Sequence, residues 1–147
     1  MIISFDLDLT LIPYNQEFEV EFRSTVAKWL GIEEIRLGTP GLIRQLKKNG
    51  HEIYIYTTSY RKPHLIKKTL KYYGIHVNKI ITQPLNNKKL TALNIHASKY
   101  PPAFNIDLHI DDSLGVQKEG TYFDFKTIII SSDDEDWVNT IYNSIYI

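Results

Sequence analysis

The sequence predicts an α/β protein: a Rossmann-like three-layer α/β/α sandwich around a central parallel sheet of about five strands. Three observations carry this expectation. Short apolar runs alternate with helix-patterned segments along the whole chain. The runs are apolar throughout rather than every second residue, as expected of strands covered on both faces. Acids or hydroxyls stand where several of the runs end. The 147 residues suit one domain, 1–147, and show no linker, repeat or low-complexity tract.

Ile2-Ile3-Ser4-Phe5 reads as a buried strand whose tip is the acidic Asp6-Leu7-Asp8. Phe18, Phe22, Val26, Trp29 and Leu30 recur at helical spacing, which predicts a helix over 15–30 closed by Gly31. Thr39-Pro40 has the form of an N-cap with Pro at the first helical position, opening a helix to Lys48 that Asn49-Gly50 stops. Glu52 to Tyr56 is a strand by its β-branched and aromatic content, with Thr57-Thr58-Ser59 past its tip. Pro63 to Tyr73 reads as a basic helix with Gly74 beyond it, and Lys79 to Thr82 as the third strand. Residues 83–105 hold a short helix around Leu90, Leu93 and Ala97, then Pro101-Pro102. Ile106 to Ile110 is the fourth strand, ending in Asp111-Asp112, and Thr127 to Ile130 the fifth. Ser132 and Glu135 have capping-box spacing ahead of a last helix carrying Trp137, Ile141 and Ile145.

Composition narrows the function. A chain 43% hydrophobic and 23% charged is ordinary for a globular protein and excludes disordered, coiled-coil and collagen-like classes. Without cysteine there is no disulfide scaffold, no Cys zinc site and no thiol nucleophile. The apolar runs are too short to cross a bilayer, so no membrane role is expected. Met1 leads straight into a strand, with no basic flank and no long apolar stretch, which makes the cytoplasm the default compartment. The formal net charge is zero but unevenly spread: residues 44–99 hold twelve Lys and Arg against one acid, Glu52. That polarity points to an anionic ligand for the middle third or a cation site in the flanks, although solvated Lys-rich helix faces give the same pattern.

Ligands of parallel α/β sheets bind beyond the carboxyl ends of the strands, and Asp6, Asp8, Thr57 and Asp111 all fall there. Asp6 and Asp8 share a face if the strand continues. Crowding them with Asp111 and Asp112 demands a counter-charge, and Mg2+ with a few waters is the usual hard-cation solution. With the charge neutralised, one Asp can attack phosphorus and form an aspartyl-phosphate. The other can protonate the leaving oxygen and later activate water. A Thr hydroxyl and a Lys ammonium would hold the phosphoryl oxygens.

These residues resemble the haloacid dehalogenase (HAD) superfamily, in its Mg2+-dependent phosphatase branch, over nearly the whole chain. The family's first motif stands as Ile2-Ile3-Ser4-Phe5-Asp6-Leu7-Asp8-Leu9-Thr10-Leu11, its second as Ile53-Tyr54-Ile55-Tyr56-Thr57 and its fourth as Leu108-His109-Ile110-Asp111-Asp112. The resemblance implies Asp6 as nucleophile and Asp8 as general acid/base. It implies Asp6, Asp111 and the backbone carbonyl of Asp8 as metal ligands. Thr57, with Thr58 beside it, would bind the phosphoryl group, and Asp112 would support the metal pair. Leu9 stands where many members have Gly. Two candidates exist for the family's lysine: Lys99, which precedes Pro101-Pro102 and is preferred, and Lys89, next to Lys88 past the third strand.

Arg61 is placed to clamp a second phosphate or carboxylate of a substrate. His109 reads as a satisfied sheet histidine, the other four His lack metal-ligand spacing, and the ten Tyr read mostly as surface residues. The 48 residues between Asp8 and Thr57 are mostly accounted for by two core helices, so the resemblance implies a capless member with an open site. Its substrate would be phosphorylated, a small molecule or a macromolecule such as a phosphoprotein or a nucleic-acid end. The alternative is a receiver-like or non-catalytic Mg2+/phosphate-binding domain that meets an anionic partner, nucleic acid included, through the basic middle third.

Overall fold

The computed structural model describes residues 1–147. Its strands are β1 (Ile2–Phe5), β2 (Glu52–Tyr56), β3 (Lys79–Ile81), β4 (Leu108–Asp111) and β5 (Thr127–Ile129). Its helices are α1 (Thr25–Trp29), α2 (Thr39–Lys48), α3 (Pro63–Tyr72), α4 (Gln83–Leu93), α5 (Leu114–Phe123) and α6 (Trp137–Tyr146), with a 3-10 turn at Pro101–Phe104. All pairings are parallel, in the order β3-β2-β1-β4-β5. This is the Rossmann-like arrangement expected from the sequence. The order rules out the receiver-like alternative, whose flavodoxin-type sheet runs 2-1-3-4-5.

Alternation along the strands separates two apolar layers. Ile3 and Phe5 of β1 and Ile53 and Ile55 of β2 pack with Leu42, Ile43 and Leu46 of α2, Ile66 and Leu70 of α3, and Trp137 and Ile141 of α6. Tyr56 faces the other way, with Ile81, Leu90 of α4, Phe104 and Ile106. The strand order reverses between β1 and β4, the kind of switch point outside whose strand ends ligands of open α/β sheets bind.

Several expectations need correction. The helix over 15–30 is reduced to α1, because residues 19–21 are extended against 35–37. Glu21 N–H donates to the Ile35 carbonyl and Leu37 N–H to the Glu19 carbonyl, both at 2.8 Å. The helical spacing of Phe22, Val26 and Trp29 is therefore spent on solvent, at 84%, 66% and 84% exposure. Helix α2 is capped by Gly38 at φ 92°, so Thr39 is its first residue rather than its N-cap. Helix α6 begins at Trp137, and neither Ser132 nor Glu135 caps it. Helix α4 starts at Gln83, earlier than its apolar spacing indicated. Helix α5 had no apolar stripe to announce it: of its ten residues only Val116 and Gly120 are buried.

Candidate active site

Three parallel strands deliver the site. Register pairs Phe5 with Ile110, so Asp6 and Asp111 emerge side by side, and Asp6 N–H donates to the Ile110 carbonyl at 2.9 Å. Lys99 Nζ sits between them, 2.7 Å from Asp6 Oδ1 and 2.6 Å from Asp111 Oδ2. All three are buried. Below them Ser4 and His109 are register partners on β1 and β4. Ser4 Oγ is 2.7 Å from His109 Nδ1, and His109 Nε2 is 2.8 Å from Asp111 Oδ2. The tautomer assigned by these partners has Nε2–H donating to Asp111 and Nδ1 accepting from the Ser4 hydroxyl. His109 is thus a satisfied sheet histidine, as expected, but its partners belong to the site.

Lys99 reaches the two carboxylates because its loop is tied on two sides. Glu119 of α5 accepts from Ser98 N–H at 2.7 Å, Ser98 Oγ–H at 2.6 Å and Lys99 N–H at 3.3 Å. Asn86 of α4 donates to the Ser98 carbonyl at 2.7 Å and accepts from the Tyr56 hydroxyl at 2.6 Å. Tyr56 in turn accepts from Tyr100 N–H at 2.8 Å. Tyr56 is therefore a buried structural residue, an exception among tyrosines that read mostly as surface residues. Nothing in the sequence pattern around Tyr56, Asn86 or Glu119 announced this scaffold, which is assembled from β2, α4 and α5. Lys88 and Lys89 are exposed on α4 and pair with neither carboxylate.

The electrostatics follow from burial and neighbours. Burial pushes the Asp6 carboxyl up to about 6; the Lys99 charge opposes this and the Asp111 charge adds to it. Asp111 is also buried, but the His109 hydrogen bond and Lys99 hold its carboxyl well below the usual range. Lys99 is raised: burial works against its charge, and the two aspartates outweigh it. Burial and then Lys99 lower His109 to about 4, so the ring is neutral. One ammonium between two carboxylates leaves a net negative charge at a buried site.

The remaining residues surround this centre. Asp112 accepts from the Thr10 hydroxyl at 3.2 Å, and its carboxyl is raised by burial and by Asp111. Thr57 follows the last residue of β2; its hydroxyl is buried and accepts from Ser59 N–H at 3.1 Å, whereas Thr58 is exposed. Leu9 adopts φ 63°, the left-handed turn that a Gly would enter freely. Arg61 is not free to clamp a substrate. Its Nε and Nη2 donate to Glu33 at 2.9 Å, Nη2 and Nη1 to Asp8 at 2.8 and 2.9 Å, and Nη1 to Ser59 Oγ at 2.9 Å. All five guanidinium N–H groups are spent.

Asp6, Asp111 and Asp112 can each offer one carboxylate oxygen, with the three atoms within 4.8 Å of one another. An all-oxygen donor set carrying surplus negative charge fits a hard divalent cation. Both oxygens of the Asp8 side chain are held by Arg61, and that side chain is not part of the three-carboxylate cluster.

The fold has a counterpart among solved structures: a predicted HAD-like family hydrolase from Porphyromonas gingivalis. The match has a TM-score of 0.57 and covers 99% of this chain and 97% of that chain, at 14% identity. The chain shares that protein's fold. No protein-family model and no curated protein matches it. No helix is long and apolar enough to cross a membrane.

Proposed function

We propose that the chain, acting as one capless domain over 1–147, is a HAD-type Mg2+-dependent phosphomonoester hydrolase. The observation that carries the reading is Lys99, buried and bridging Asp6 and Asp111 at the switch point of the sheet. A buried ammonium held between strand-tip carboxylates is placed to meet phosphoryl oxygens, where electrostatic stabilisation supplies most of the catalysis.

An oxygen of ionised Asp6 attacks phosphorus, the ester P–O bond breaks, and Asp8 gives a proton to the leaving oxygen. Water then attacks the aspartyl-phosphate. Asp8 takes the water's proton, the P–O bond to Asp6 breaks, and inorganic phosphate leaves. Lys99 orients Asp6 and, with Thr57, binds the transferring group. A Mg2+ held by Asp6, Asp111, Asp112 and the Asp8 carbonyl would supply the positive charge that lets the carboxylates ionise together. The cytoplasm and an open site for small or macromolecular phosphorylated substrates belong to the same reading.

Turnover of an aryl phosphate that EDTA abolishes and Mg2+ restores, with a hydroxylamine-sensitive phosphoryl group on Asp6, would support this function. Turnover indifferent to chelation and to Asp6→Asn would remove it.

A further inference from the structure

Asp8 stands at a half-open rim, beside a pocket of about 360 Å3 lined with Pro13, Tyr14, Ser59 and Arg61. A lone Asp there would sample several rotamers, yet both its oxygens are held by the fork of Arg61. A bidentate guanidinium fixes the plane of a carboxylate as well as its distance. Each carboxylate oxygen has a second lone pair, so the fork leaves room for a water or a leaving oxygen. Arg61 is itself fixed from behind by both oxygens of Glu33. Glu33 is pinned by its backbone to α3: its N–H donates to Thr69 Oγ1 at 3.2 Å, and its carbonyl accepts from the Tyr73 hydroxyl at 2.7 Å. Ser59 completes the seat, accepting from Arg61 N–H at 3.1 Å. Ion pairs this exposed add little to stability, so the consequence of the frame is geometric.

We infer that Arg61 is the positioning residue of Asp8, and that Glu33 anchors Arg61, so that the acid–base group works from a Glu33–Arg61–Asp8 frame. The inference rests on the phosphatase reading above. It replaces the substrate clamp that the sequence offered for Arg61. An oriented base is the logic of every catalytic triad, here with a guanidinium as the third group. The step most dependent on it is the second: water attacks the phosphorus of phospho-Asp6, Asp8 accepts the proton, and the bond to Asp6 breaks. An activated aryloxide leaves without a proton, so the first step depends on the frame far less.

The test is rapid-mixing kinetics with an activated aryl phosphate and Mg2+. Arg61→Gln should lower kcat about 100-fold, the loss expected of a misplaced reacting group, and lower KM with it so that kcat/KM changes little. It should also show a burst of phenolate stoichiometric with enzyme, because the phosphoenzyme accumulates. Glu33→Gln should move both readouts the same way by about tenfold, and Arg61→Lys should recover part of the rate. If Arg61→Gln fails to fold, as judged by its thermal melt, the other two variants carry the test. A raised KM with unchanged kcat would make Arg61 a substrate clamp and overturn the inference. So would unchanged kcat without a burst in an enzyme that Asp6→Asn inactivates, with the phosphatase reading left standing. No wild-type turnover at all would remove both.

Discussion

Lys99 and Asp6 lie far apart in the chain, and Lys99 Nζ stands 2.7 Å from Asp6 Oδ1 inside the protein. The contact converts a loop lysine into part of a strand-tip site. Because the ammonium meets charge that develops in the transition state, Lys99→Ala should lower kcat and kcat/KM alike. The expected loss is on the order of 2–4 kcal/mol, as for an oxyanion donor. Lys88→Ala and Lys89→Ala should change only KM and its salt dependence, since screening acts over about 8–10 Å. Steady-state kinetics at two salt concentrations check this; a large kcat loss in Lys89→Ala with a silent Lys99→Ala would reverse the assignment.

Glu119 touches neither carboxylate and still bears on the site, through three hydrogen bonds to Ser98 and Lys99. Glu119→Ala should let the loop drift and cut kcat about tenfold, the equivalent of one charge-assisted hydrogen bond. Glu119→Gln, which keeps one acceptor oxygen, should fall in between. Equal activity in all three proteins would show that the loop is held elsewhere.

The sequence shows strand tips better than loops, and the reason is physical. Asp6, Thr57 and Asp111 follow apolar runs whose burial forces a sheet, and a parallel sheet puts those tips on one rim. Lys99 had only its place ahead of Pro101-Pro102 and its short interval to Asp111 to recommend it, because Asn86 and Glu119, which aim it, come from separate helices. Arg61 was legible as a cation near the rim, but its partner Glu33 sits across a loop with no periodic signal. The apolar spacing over 15–30 predicted too long a helix, since pairing of 19–21 with 35–37 overrode it ahead of α1.

Leu9 carries backbone strain that can be read by substitution. At φ 63° an L-residue is disfavoured by about 1–2 kcal/mol relative to glycine, and a β-branched side chain fares worse. Leu9→Val should therefore lower the melting temperature more than Leu9→Gly, although valine keeps more of the apolar side chain. Thermal melts in EDTA decide it; a valine variant as stable as the glycine one would mean that the turn relaxes.

Folding moves a proton within the site, and stability against pH should show it. Burial and Lys99 bring His109 from 6.5 to about 4, while burial above all brings Asp6 from 3.8 to about 6. Between about pH 4 and 6.5 the unfolded chain binds a His109 proton that the folded chain refuses. The His109 contribution is therefore present above pH 6.5 and lost as pH falls through 4. Asp6 has the opposite sign: the folded chain keeps a proton that the unfolded chain releases above 3.8. Its contribution is present below that value and lost as pH rises through 6. Near about pH 5 the His109 and Asp6 contributions have opposite slopes and nearly cancel each other in the wild-type protein in EDTA. Asp6→Asn removes one side of the balance. Stability should then rise with pH across the window by on the order of 1 kcal/mol per pH unit. Asp112, also raised by burial, acts in the sense of Asp6 in both proteins, so the difference between their slopes isolates Asp6. Urea midpoints from pH 4 to 6 measure both slopes, and an Asp6→Asn slope equal to that of wild type would show that folding does not raise the Asp6 carboxyl.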